Sequence, residues 1–300
     1  MRIEFFGVRG SCPCPSPGTL RYGGNTACVA LSVESEPPIV LDLGTGLRSF
    51  GRTQPTDGTF AGTALVTHLH WDHVQGLPFF PPADRYGAVF EVYGPAQEGG
   101  SLAEVVDQLV RPPFFPVRVG DLRGSIGIHD LFDGELAVGR ARVSARAVPH
   151  PGTTLGYRIA WDGAVVTYIS DLQAPTDLTG IPEVVLELAA GADVAILDAQ
   201  YTPEEFASKP TWGHCTVGYA VGVAARAGVG TLVLFHHDPE HDDDRLDALL
   251  AEARLIADGA VEVESAYEGL VLERGGGSGG KAGNPDSSAK TTEVGLSGGR

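Results

Sequence analysis

The stretch Val66-Thr67-His68-Leu69-His70-Trp71-Asp72-His73 packs three histidines and one aspartate into six residues, directly after an apolar, β-rich run at 64–67. In an extended segment successive side chains alternate between faces, so His68 and His70 project to the same side and can grip one metal ion. Asp72 and His73 stand where the strand pattern breaks, and a turn there directs them toward a second ion. Imidazole nitrogen and carboxylate oxygen are suitable ligands for zinc, and serve iron or manganese as well. A solvated polar loop is a poor account of this density of ligands at a strand end.

Two ions need about seven protein groups if one group is shared and a water bridges them. The rest of the chain offers three. His150 follows an apolar strand in Val148-Pro149-His150-Pro151, Asp171 ends one in Tyr168-Ile169-Ser170-Asp171, and His236 ends one in Leu234-Phe235-His236. Each alone reads as an ordinary polar loop residue. Together with the first cluster they compose a full site, gathered along one rim if the strands form a sandwich. A faint internal echo fits that picture: Val66-Thr67-His68-Leu69-His70 and Leu234-Phe235-His236-His237-Asp238 both leave an apolar strand and break into His and Asp.

Around these residues the pattern is α/β. Strands are expected at 3–8, 28–33, 39–43, 64–67, 155–160, 164–169, 194–197 and 231–235, with β-rich regions at 134–148 and 261–272. Trp161-Asp162-Gly163 is the turn of a hairpin, since Asp-Gly favours tight reversal. Helices are expected at 101–110, where Ser101 and Glu104 form a capping box, at 217–227, and at 243–256, where Leu246, Leu249, Leu250 and Ala253 recur at helical spacing. Residues 1–274 make one domain. From Gly275 onward Gly, Ser, Lys, Thr and Asn replace large apolar residues, so 275–300 is expected to be a flexible tail without enough apolar surface to offset its ordering entropy.

Composition excludes several classes. Of the 300 residues 43% are apolar, enough for a large core, and the formal charge is -17. Because the tail carries more Lys and Arg than Asp and Glu, the body is more acidic still. Nucleic-acid binding draws mainly on basic contacts, so no long nucleic acid is expected as substrate; a small phosphate ester stays open because bound cations reverse the local field. Four cysteines, at 12, 14, 28 and 215, are too few and scattered for a disulfide framework. With no secretory leader and no spanning apolar run, the expectation is a cytoplasmic protein that does not enter a membrane. A homodimer is left open.

The set His68, His70, Asp72, His73, His150, Asp171 and His236, with Leu41-Asp42-Leu43-Gly44-Thr45-Gly46 upstream, resembles the metallo-β-lactamase superfamily over almost the whole body. The resemblance implies an αββα sandwich with the metals at one edge. His68, His70 and His150 would hold the first ion, Asp72, His73 and His236 the second, and Asp171 would bridge them, with Asp42 in support. Two divalent ions, zinc before manganese or iron, are the implied cofactors. Trp212-Gly213-His214-Cys215-Thr216 resembles a segment of the superfamily's phosphodiesterase branch, as do Gly7-Val8-Arg9-Gly10-Ser11 and Arg21-Tyr22-Gly23-Gly24-Asn25-Thr26. Cys215 stands where that branch usually has Ser.

The expected activity is hydrolysis of a small phosphodiester, cyclic ones included, by metal-activated hydroxide, with Asp72 and His214 as the catalytic pair. Asn25 and His237 are candidate substrate contacts. The alternatives are a lactone, thioester or other carbon ester on the same cage, and a non-catalytic metal sensor. The His214 segment favours phosphorus, because the lactonase and lactamase branches generally lack its match. Cys12-Pro13-Cys14 reads as a plain turn, His129 as structural, and Asp242-Asp243-Asp244 as the cap of the last helix.

Overall fold

The computed structural model describes residues 1–275. Apart from Gly275, the expected tail lies outside the described residues. The first half contributes β1 (Arg2–Gly7), β2 (Cys28–Ser32), β3 (Ile39–Leu41), α1 (Gly46–Gly51), β4 (Ala61–Leu65), α2 (Trp71–Val74), β5 (Val89–Pro95), α3 (Leu102–Leu109) and β6 (Ser125–Leu131). The second contributes β7 (Gly134–Val138), β8 (Ala141–Ala147), β9 (Leu155–Trp161), β10 (Ala164–Ile169), α4 (Glu183–Ala189), β11 (Val194–Asp198), α5 (Pro203–Ser208), α6 (Val217–Ala227), β12 (Thr231–Phe235), α7 (Asp243–Ala257), β13 (Glu262–Ser265) and β14 (Val271–Glu273). Two seven-stranded sheets result, ordered β14-β1-β2-β3-β4-β5-β6 and β13-β12-β11-β10-β9-β8-β7.

Strand alternation explains the four layers. On β1, Ile3 and Phe5 enter the core between the sheets, while Phe6 packs outward against Phe50 of α1. On β12, Val233 and Phe235 point inward, and Leu232 and Leu234 meet the core formed with α6 and α7. Both faces of β12 are buried, so it reads as a continuous apolar run. Each fully buried Phe, Leu or Ile contributes roughly 1.5–3 kcal/mol. The order is helix, sheet, sheet, helix, as the resemblance implied.

Several elements lie where the sequence placed them. Ser101 caps α3, its Oγ accepting from the Glu104 amide at 3.3 Å while the Ser101 amide donates to the Glu104 carboxylate at 2.8 Å. The region 134–148 is two strands, because Gly139 turns the chain at φ 55. The β-rich end at 261–272 also divides: β13 pairs in parallel with β12, whereas β14 returns to the other sheet beside β1.

The parallel strands β3–β6 and β10–β12 position the site. Their carboxyl ends open on one edge of the sandwich, where the chain leaves β4 for His68, β10 for Asp171 and β12 for His236. Asp42 and His236 both take left-handed backbone, at φ 58 and 59. Such conformations cost non-glycine residues about 1–3 kcal/mol, so the surroundings must hold them.

Candidate metal centre

Seven side chains from four separate segments converge at this edge. Ligand atoms of His68, His70, His150 and Asp171 lie within 4.8 Å of one another, as do those of Asp72, His73 and His236. Asp171 faces both groups. Its Oδ2 is 3.8 Å from His68 Nε2 and 3.6 Å from His150 Nε2; its Oδ1 is 3.2 Å from His73 Nε2 and 3.5 Å from His236 Nε2. One carboxylate oxygen thus serves each group. In the second group Asp72 Oδ2 is 3.1 Å from His73 Nε2 and 3.0 Å from His236 Nε2. Ligand atoms about 2.0–2.1 Å from one tetrahedral ion stand ~3.3 Å apart, close to these separations.

The imidazoles are oriented by what touches their other nitrogen. His73 Nδ1 donates to Asp42 Oδ2 at 2.8 Å, and His236 Nδ1 to Gln200 Oε1 at 2.8 Å. The Thr67 hydroxyl donates to Asp42, so its lone pair accepts from His68 Nδ1 at 3.1 Å. Likewise the Thr154 hydroxyl donates to the Gly152 carbonyl and accepts from His150 Nδ1 at 3.0 Å. Each proton on Nδ1 leaves Nε2 as a bare donor of electrons, the state a metal requires. Asp42 also accepts from the Thr67 amide at 2.7 Å and the Tyr168 hydroxyl at 2.8 Å, which holds its left-handed backbone in place.

Glycines let the backbone close around the cage. A Cβ at Gly10 would lie 2.4 Å from His236 Nδ1, and one at Gly213 (φ +98) 2.5 Å from His150 Nε2.

The electrostatics fit cations. Asp42, Asp72 and Asp171 are buried, and burying carboxylates without positive partners is costly. Burial raises the Asp72 carboxyl, but His73 and His236 outweigh it and hold the group well below the carboxylate range. Asp171 behaves the same way, with His236, His73 and His68 overcoming burial. His73 is pushed up because Asp72, Asp171 and Asp42 overcome its own burial. His68 and His150 go the other way: burial foremost drives His68 well below the usual histidine value and His150 down to about 4. Their Nε2 atoms, with Asp171 Oδ1, are buried and have no hydrogen-bond partner. Unprotonated, orphaned nitrogens facing a carboxylate are what a cation would satisfy, so the donor set fits metal ions.

A cleft of about 620 Å³ opens over the cage, lined among others by His70, Trp71, Asp72, Lys209, Trp212 and His214. His214 stands beside the cage: its Nδ1 donates to Asp198 Oδ2 at 2.9 Å, and its ring stacks on His236 with centroids 5.0 Å apart. Asp198, at the end of β11, also accepts from the Leu172 amide at 2.9 Å. Neither Asp198 nor Gln200 was singled out from the sequence. Asp198 does carry a readable signal, for it ends an apolar strand as Asp42 and Asp171 do.

The structure does not bring Asn25 or His237 to the cleft. Asn25 is tied to Glu268, Nδ2 to Oε2 at 2.9 Å. His237 is buried, with Nε2 donating to the Ala266 carbonyl at 2.9 Å, and burial pushes it down to about 3. The polar runs around both residues serve loop packing, which spacing alone does not distinguish from substrate contact. Among the described residues no helix is long and apolar enough to cross a membrane, and all four cysteines are free thiols.

Residues 39–237 match the family profile described as a beta-lactamase superfamily domain. An uncharacterized protein of Mycobacterium tuberculosis H37Rv, Rv1339, is 28% identical over 284 residues, covering 92% of this chain and 94% of its own. A ribonuclease Z of Haloarcula marismortui is 24% identical, covering 90% of this chain and 96% of its own. Among solved structures, the metallo-beta-lactamase fold protein YhfI of Bacillus subtilis superposes with a TM-score of 0.69 at 18% identity, covering 90% of this chain and 98% of its own. Zn(2+)-bound PqqB of Methylobacterium extorquens gives 0.68 at 18% identity, with coverage of 91% and 100%. A diphosphatase from the PhnP family gives 0.65 at 18% identity, with coverage of 91% and 97%.

Proposed function

Starting from the chain's membership of the β-lactamase superfamily, with its hydrolase fold and buried His/Asp metal-binding cluster, we propose that it is a phosphodiesterase acting on a small substrate. The observation that carries this reading is His214. It lies outside the cage yet at its rim, lines the cleft, and is fixed through Nδ1 by Asp198, so Nε2 is available to a reacting group. A cage already complete without His214 leaves that residue free for proton transfer. The matches named ribonuclease and diphosphatase support phosphorus as the reacting centre.

His68, His70 and His150 would hold one ion, Asp72, His73 and His236 the other, and Asp171 would link them. Zinc is the first choice for this donor set and was present in PqqB; manganese or iron would also be accepted. Divalent ions here would polarise a phosphoryl oxygen and lower the pKa of water.

The chain's own residues supply orientation and proton movement. Asp72 Oδ2 accepts from the Ser11 amide at 2.7 Å, which fixes the carboxylate at the cleft floor to orient the attacking water or take its proton. His214 Nε2 protonates the departing alkoxide, or stabilises charge on the phosphoryl group, while the Asp198 carboxylate holds Nδ1 and so orients the ring. The cleft is the size of a small-molecule site, and among the described residues Lys209 is the one lysine or arginine lining it, against Asp238 and Glu240. A long polyanion would gain little from that wall.

The test is a metal-quantified preparation assayed on bis-p-nitrophenyl phosphate, a panel of cyclic phosphates, lactones and thioesters, with a chelated control. Turnover of phosphodiesters that chelation abolishes supports the reading. Turnover of lactones or thioesters alone transfers the cage to carbon esters, and no turnover on any substrate favours a metal sensor.

A further inference from the structure

Single exposed apolar residues are ordinary on a protein surface and need no explanation. The chain has three tryptophans, and two of them, Trp71 and Trp212, line the same cleft while 61% and 63% exposed. The third, Trp161, is buried in the core between the sheets.

Both exposed rings sit on backbone that the cage fixes. Trp71 lies between His70 and Asp72 and opens α2. Trp212 is followed by Gly213, whose amide donates to Gln173 Oε1 at 2.8 Å and whose missing Cβ makes room for His150; His214 comes next. With the backbone fixed, only the two side-chain torsions of each ring remain to be ordered when a ligand covers it, which suits a binding platform.

The charges along the cleft narrow the ligand. Lys209 Nζ rests 4.9 Å from the Tyr201 ring centroid and 5.5 Å from that of Trp212, and lies 3.5 Å from Asp238 Oδ2. Its charge is thus met by aromatic faces and a carboxylate of the same wall. Beyond the metal cage, the remaining charged lining groups are Asp238 and Glu240. A second phosphate reaching past the cage would meet like charge there.

We infer that Trp71 and Trp212 form a stacking platform for a planar aromatic group of the substrate, so that the cleft selects a base-bearing phosphodiester with a single negative charge. This rests on the phosphodiesterase reading and adds to it the part of the substrate away from phosphorus. A nucleobase satisfies the description: it is flat and uncharged, and every base presents a π-face.

The experiment compares the metal-loaded protein on adenosine 2′,3′-cyclic phosphate and on the methyl riboside 2′,3′-cyclic phosphate, which has the same reacting group and no base. Wild type should favour the base-bearing substrate in kcat/KM. Trp71→Ala and Trp212→Ala should each cut that preference by about 5- to 150-fold, the range for loss of one base–aromatic stack. Trp71→Phe and Trp212→Phe should largely restore it at unchanged metal content. Equal losses on both substrates, or no rescue by Phe, would overturn the platform.

A binding arm separates this proposal from the parent reading. Adenosine 5′-methyl phosphate should quench the tryptophan fluorescence of wild type. The quenching should vanish in the Trp71→Phe/Trp212→Phe double variant, where buried Trp161 alone emits. If no phosphodiester of the panel turns over, these two cyclic phosphates included, the phosphodiesterase reading fails, and the quenching still decides whether the aromatic platform exists. Absence of quenching in wild type overturns it.

Discussion

Replacing Asp198 by Asn tests whether His214 transfers a proton. The change keeps the size of the side chain but removes the charge of Oδ2, the oxygen that accepts from both the Leu172 amide and His214 Nδ1, each at 2.9 Å. A neutral amide oxygen there is a weaker acceptor than the carboxylate and anchors the imidazole less firmly, whereas turning the amide NH2 there would set it against the Leu172 N–H. General acid catalysis contributes roughly 10²–10⁴-fold, or about 2.7–5.5 kcal/mol at 1.36 kcal/mol per factor of ten. His214→Ala should lose that whole factor on a ribose cyclic phosphate, whose alkoxide needs a proton. Asp198→Asn should lose most of it, and the double variant no more than His214→Ala, because two residues acting as one unit are not additive. On bis-p-nitrophenyl phosphate, whose leaving group hardly needs a proton, both losses should shrink sharply. The assay is kcat and kcat/KM on the two substrates at constant, measured metal content. Equal losses on both substrates would move His214 to charge stabilisation at phosphorus. Additive losses in the double variant would refute the Asp198–His214 link. Loss of metal from His214→Ala would make His214 a ligand and the cage assignment wrong.

Three further outcomes are expected. Elemental analysis of reconstituted protein should find about two divalent ions per chain, and Asp171→Ala should lower both together, since its two carboxylate oxygens face different ligand groups; loss of one ion with the other kept would end its bridging role. Tyr168→Phe, which removes the hydroxyl 2.8 Å from Asp42 Oδ2, should weaken metal binding by roughly 10-fold through His73, since outer partners of ligands typically matter 10–100-fold; competition with a chromophoric chelator measures it, and an unchanged affinity would leave Asp42 a purely structural role. Truncation after Arg274 should leave activity and melting temperature unchanged, because the residues removed lack apolar periodicity; a clear drop in either would give them a docked role.

The fold was legible where a strand is buried on both faces. Runs such as Thr231–Phe235 and Val194–Leu197 are apolar throughout and short, and their placement agrees with β12 and β11. Elements at the margin were harder. β6 (Ser-Ile-Gly-Ile-His-Asp-Leu) is half exposed at a sheet edge, and its polar residues are not spaced as a core strand's would be. Helices α4 and α5 are short, and α4 lacks a side-chain cap to announce its start. For such segments the deciding term is tertiary packing, which acts between residues far apart in the chain.

The same division runs through the site. Direct ligand candidates are legible because metal chemistry restricts them to a few residue types and strand ends concentrate them. Their supports have no such restriction. His68 uses Thr67, His150 uses Thr154, His236 uses Gln200 and His214 uses Asp198, three kinds of acceptor for one requirement, that Nδ1 hold its proton. Any acceptor at hydrogen-bond distance meets it. His236 and Gln200 are brought together only when β11 and β12 pair in parallel with Asp198 opposite Phe235, so that both chains leave their strands side by side. Before that register exists, Gln200 is one polar residue among many. Once it exists, the tautomer of His236 follows, and with it the direction from which the ring can meet a cation or a carboxylate.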